Sequence, residues 1–135
     1  MTDRRTGGLQ YEGLGAKLVE EIPEVADSYR REMEWWGDEK PGPPVIYGDV
    51  LTPYITGLLE SGATAETIKR AFDLLETLIG DPDVEVQAVA VVAVLERLVG
   101  NVEWLRLMKP YTGPLVSEAV RTLIEGLESE RDWSA

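Results

Sequence analysis

The sequence predicts an all-α domain of six to seven helices, arranged as an antiparallel hairpin array or bundle around a central apolar helix at residues 82–99. Three observations carry this. Apolar residues recur at three- and four-residue steps over most of the chain. Helix start and stop residues bracket those runs. The 135 residues, 44% of them hydrophobic, match one packed domain, since a chain of this length hides roughly two-thirds of its unfolded surface on folding. A single domain over 1–135 is expected, with 1–8 as a flexible lead.

Leu14, Leu18, Ile22, Val25 and Tyr29 mark one face of an amphipathic stretch that Pro23 divides into helices at about 9–22 and 23–36. The segment from Gly37 to Pro44, GDEKPGPP, reads as a loop. Leu51, Ile55, Leu58 and Leu59 define the third helix, with Asp49 as its N-cap, Pro53 in or near its first turn and Ser61-Gly62 as its stop. Thr64 caps a fourth, whose core face is Ile68, Phe72, Leu75 and Ile79, ending at Gly80.

Asp81-Pro82 supplies the next N-cap and N1 proline, and the run Val84 to Val99 ends at Gly100. Its centre, AVAVVAVL, has the β-branched content of a buried strand. The start signal, the length and the continuation through Leu98 select a helix instead, and its nearly all-round apolarity places it centrally. A short helix from Val102 to Lys109 is broken by Pro110. The last begins at Pro114, with Val116, Ala119, Val120, Leu123, Ile124 and Leu127 inside and Glu118, Arg121, Glu125 and Glu128 outside. Trp133 is expected to fold back on its end.

Twenty-five acids against thirteen Lys and Arg give a net charge of -12, spread along the chain rather than held in a tail. That balance opposes nonspecific attraction to nucleic acid or to anionic membranes. The longest apolar stretch, Ala88 to Leu95, falls well short of the ~20 residues of a membrane-spanning helix. No apolar segment follows the polar N-terminus, so neither a signal nor a transit peptide is expected and the compartment is cytoplasmic.

Cysteine and histidine are both absent, which removes thiolate nucleophiles, disulfides, imidazole bases and Cys/His zinc sites together. None of the five serines lies in a Gly-x-Ser-x-Gly elbow, and Gly13-Leu14-Gly15 is no phosphate-binding fingerprint. A non-enzymatic protein without catalytic residues, cofactor or metal is therefore expected.

Two resemblances add to this reading. Ala71 to Gly100, helix, Asp-Pro-Asp turn and second helix with Val86 and Val89 to Val92, resembles one HEAT repeat, which makes the predicted array HEAT-like in packing. Across the chain, Pro23 after an opening helix, then Val45-Ile46-Tyr47-Gly48-Asp49, Phe72-x-x-x-Glu76 and Val94-Leu95-Glu96-Arg97-Leu98 resemble small, uncharacterised all-helical bacterial proteins of the immunity-protein type. That resemblance implies an all-helical domain that binds and neutralises a partner, and implies no reaction.

The most unusual local sequence is Glu34-Trp35-Trp36-Gly37-Asp38-Glu39. Adjacent helical residues do not share a face. The commoner arrangement has both rings roofing the core beneath the proline-rich loop; the other leaves one ring out as a partner anchor. Glu34, Trp35, Trp36, Asp38 and Glu39, together with Tyr47, form the candidate partner-contacting set. Glu20, Glu21, Glu24 and Asp27 could gather on a cation, or form a solvated face balanced by Lys17, Arg30 and Arg31. Asp81, Asp83 and Glu85 read as cap and first-turn acids, and Asp73, Glu76 and Glu96 as a polar face.

The expected function is that of an intracellular binding domain of immunity or inhibitor type, which engages a basic protein partner, such as a toxin, through acidic and aromatic surface. The alternative is a structural or adaptor domain, with self-association as a homodimer open to it.

Overall fold

A computed structural model describes residues 9–126 and contains seven helices and no strand among them. Residues 1–8, expected to be a flexible lead, and Leu127, Glu128 and Trp133 lie outside the described residues.

A 3-10 turn at Tyr11–Gly13 leads into helix α1, Leu14–Glu21; Ile22 leaves helical geometry, a second 3-10 turn spans Pro23–Val25, and α2 covers Ala26–Trp36. Pro23 thus divides the amphipathic stretch, as its fixed φ and missing N–H require. Gly37 ends α2 at φ 62°, ψ -124°, a conformation only glycine adopts readily.

The third helix differs from its expectation. It begins not near Asp49 but at Pro43, with Pro43 and Pro44, the last two of the three prolines of GDEKPGPP, in its first turn, and continues through 43–61: an α-helical Pro43–Ile46, a π-helical Tyr47–Leu51 and an α-helical Thr52–Ser61. We call this continuous rod α3. Asp49 is inside it, not at its cap, and Pro53 lies in mid-helix. Gly62 closes α3 in the left-handed conformation, as the Ser61-Gly62 signal predicts.

Helix α4 is Ala65–Ile79, with Ile68, Ala71, Phe72, Leu74, Leu75 and Leu78 buried. Helix α5 spans 84–98 and is π-helical over Val89–Leu95. Its N-cap is Asp83, whose side chain accepts from the Glu85 N–H. Asp81 is not the cap. It is buried, and its carboxylate accepts from the N–H groups of Leu9 (2.7 Å) and Asp83 (2.9 Å), tying the start of the fold to the α4–α5 turn. Helices α6, Val102–Met108, and α7, Pro114–Gly126, complete the chain. Asn101 caps α6, and Glu76 of α4 caps α7 from a distance by accepting from the N–H groups of Leu115 and Val116.

Helix α5 packs on α3, α4 and α7 and buries Val86, Val89, Ala90, Ala93, Val94, Leu95 and Leu98. It is central on most of its circumference, but Val84, Ala88 and Val92 form an exposed stripe, so the all-round burial expected from its apolarity is not complete.

The two π segments face each other. A π turn sends each N–H to the carbonyl five residues back, which widens the helix. Thr52 N–H bonds to Tyr47 O, and Glu96 N–H to Val91 O. Two side chains cross the gap. The Thr52 hydroxyl donates to Ala93 O at 2.9 Å, and Arg97 Nη1 donates to Gly48 O at 2.9 Å. Pro53 has no N–H to return to Gly48, so the guanidinium supplies the donor that the imino acid lacks. Gly48 permits the approach, because a Cβ there would stand 2.9 Å from Arg97 Nη2.

This geometry predicts coupling between residues 49 apart. Arg97→Ala should lower the unfolding free energy by about 1–2 kcal/mol, the worth of a charge-assisted hydrogen bond. In a Gly48→Ala background, where the methyl already displaces the guanidinium, the same substitution should cost less than about 0.5 kcal/mol. A double-mutant cycle by urea denaturation measures the difference.

Candidate functional site

Helix α2 has no fully buried residue. Tyr29 and Met33 rest partly buried on the core, and its opposite side carries Asp27, Arg30, Arg31, Glu34 and Trp35 into solvent. A helix held by so narrow a face is a surface element, and the Gly37 stop puts the two tryptophans in its final turn.

Trp35 is 79% exposed, the most open large hydrophobic residue described. Trp36 is half-buried, and its Nε1–H donates to Glu32 Oε2 one turn back at 3.0 Å. The two rings meet edge to face, with centroids 5.3 Å apart and planes at 80°, a favourable aromatic arrangement. Of the two arrangements open to the sequence, the one with a ring left in solvent is realised.

Helix α2 packs against the π segment of α3. That contact creates a depression of about 450 Å³, lined by Ser28, Arg31, Glu32 and Trp35 of α2 and by Asp49 of α3. The Glu32 carboxyl is pushed above its ordinary range by partial burial and by the neighbouring Asp49 carboxyl. Arg31 turns away along its own helix, its Nη2 3.3 Å from Ser28 Oγ. The lining therefore offers a broad aromatic face, two adjacent carboxyl groups and one cation.

The structure gathers only part of the sequence-predicted set here. Glu34, Trp35 and Trp36 share the end of α2, and Glu34 lies 3.6 Å from Arg30. Asp38 and Glu39 follow in the exposed turn, outside the lining. Tyr47 does not belong. It is completely buried, its hydroxyl donates to Leu14 O at 2.9 Å, and burial pushes its phenol well above the usual range. Its aromatic ring fills the core, because the π segment turns residue 47 inward and residue 49 outward.

Ser28, Arg31, Glu32 and Asp49 are the lining residues that sequence reasoning missed. The four-residue spacing of Glu32 and Trp36 was a readable signal for their hydrogen bond. Asp49 carried a misleading one, since an acid four residues before a proline imitates a helix start.

Other acids are accounted for elsewhere. Lys17 meets Glu21 at 3.0 Å, Arg30 meets Asp27 at 3.2 Å, and Arg70 of α4 grips Glu24 with two bonds of 2.8 and 2.9 Å, which holds that carboxyl below its ordinary range. Asp73 pairs with Lys69, and Glu76 caps α7. Among the described residues, no group of three or more acids converges on a position that could hold a metal ion. No helix there is long and apolar enough to cross a membrane.

The sequence pattern of a family described as Domain of unknown function (DUF7674) matches residues 15–127. No curated protein and no solved structure matches the chain.

A carboxyl raised in the folded state favours protonation there, so the ionised form costs stability as pH rises through that raised value. Glu32→Gln removes this cost while keeping an acceptor for Trp36 Nε1 and adding a donor toward Asp49. We expect it to raise the melting temperature at pH 7 by on the order of a degree. The two proteins should converge in acid, where Glu32 is itself neutral. Calorimetry across that pH range measures both.

Proposed function

The chain belongs to the DUF7674 family, and from that premise we propose that it is a non-enzymatic protein-binding domain whose partner docks on the end of α2. The observation that supports this most is Trp35, a large ring left 79% exposed beside a concave surface. Tryptophan anchors protein interfaces because it buries a large area at little entropic cost. The ring's one aromatic contact, edge to face with Trp36, leaves most of its surface open.

The partner is basic. The domain's net charge of -12 attracts a cationic protein over distance, and the exposed Glu34, Asp38 and Glu39 flank the tryptophan pair in sequence. An immunity or inhibitor role in the cytoplasm, in which the domain covers the cationic active face of a toxin, suits that chemistry. A second reading has its own support: the exposed stripe Val84, Ala88 and Val92 on α5 is apolar and would suit a self-associating adaptor.

The two readings separate by substitution. Affinity capture from native lysate at low and moderate salt should retain a basic protein, more weakly as salt rises. Trp35→Ala should weaken that complex by about 2 kcal/mol, roughly thirtyfold, while leaving the melting temperature within about a degree. A complex indifferent to Trp35→Ala but abolished by Val92→Asp, with only the chain itself recovered, would overturn the first reading in favour of the second.

A further inference from the structure

We infer that the depression beside Trp35 is a socket for one arginine side chain of the partner. The inference rests on the reading that α2 is the docking surface, and it specifies what that surface recognises.

Three features of the lining converge on a guanidinium. The Trp35 indole presents an open face, and a planar cation stacks on such a ring with both cation–π and dispersion attraction. Glu32 and Asp49 come from different elements, α2 and α3, and line the depression together. Two carboxyl groups held together in this way repel when both are ionised, and an inserted cation relieves the repulsion. A guanidinium has donors along two edges and can bond both carboxylates while its plane lies on the indole, whereas an ammonium is a compact, strongly hydrated point charge. At about 450 Å³ the depression lies within the range of side-chain and small-ligand pockets.

Arg31 is the opposing charge in the lining. It is drawn toward Ser28, and its removal should make the socket more attractive to a cation. The sign of its effect is therefore opposite to that of Glu32 and Asp49, a pattern that a merely sticky tryptophan would not produce.

The test uses the full chain and a capped Gly-Arg-Gly peptide, with the indole N–H resonance of Trp35 as the readout and Trp35→Ala as its assignment. Binding in the millimolar range, ordinary for a single side chain, should shift that resonance. The citrulline counterpart, equal in shape but uncharged, should shift it little, and the lysine counterpart should bind more weakly. The double variant Glu32→Gln with Asp49→Asn should weaken binding about tenfold or more, and Arg31→Gln should tighten it about threefold. All these residues line the surface, and circular dichroism checks that each variant keeps its helices. Equal response to citrulline, or affinity unchanged in the double variant, overturns the inference. If Trp35→Ala abolishes partner capture while the arginine peptide leaves Trp35 unmoved, the arginine assignment falls and the docking surface stands. If neither responds, both fall.

Discussion

The fold depends on two widened helical turns pressed against each other. The π segments Tyr47–Leu51 and Val89–Leu95 lie at the meeting of the two most central helices. Each widening leaves backbone groups outside the ordinary i to i-4 ladder, and a buried carbonyl without a donor costs about 1–3 kcal/mol. The structure resolves this across the gap. Thr52 serves Ala93, and Arg97 serves Gly48. Four of the seven residues in the second segment are valine, whose branched side chains crowd the preceding turn of a regular α-helix.

The same widening sets up the surface. Within the first π segment, Tyr47 turns into the core and bonds to Leu14, while Asp49 turns out to meet Glu32. The depression beside Trp35 thus takes its floor from the core's own irregularity, not from a loop. Helix α2 contributes the remainder, resting on the core by Tyr29 and Met33, contacting that segment and ending where Gly37 requires it to end. Stability and the proposed recognition surface consequently share one stretch of backbone. That explains how a chain without cysteine or histidine can still present a shaped, charged site.

Much of the helical order was legible from periodicity and punctuation. Pro23 divides the first two helices, Gly62 and Gly37 end α3 and α2, and the run from Val84 to Leu98 is helical despite its strand-like composition, because its start signal and length outweigh propensity. What failed was local. Asp49 and Pro53 together imitate a helix start, so the local pattern sets the start of α3 several residues late and gives no sign of its π segment. Asp81 has the local pattern of a cap but is a buried acceptor, a role set by Leu9 from 72 residues away, which no local pattern records. Trp35 and Trp36 were identifiable as unusual. The partners that shape the ground beside them, Glu32 and Asp49, meet only through tertiary contact.

Arg97 and Thr52 stitch the two π segments into one mechanical unit. Native-state amide hydrogen exchange on the intact chain and on Arg97→Ala tests it most directly, because it reads the opening of each helix separately. Residues 47–52 and 89–95 should open with similar free energies and lose protection together in the variant, while α6 keeps its own. Loss of protection in 47–52 alone, with 89–95 unchanged, would contradict it.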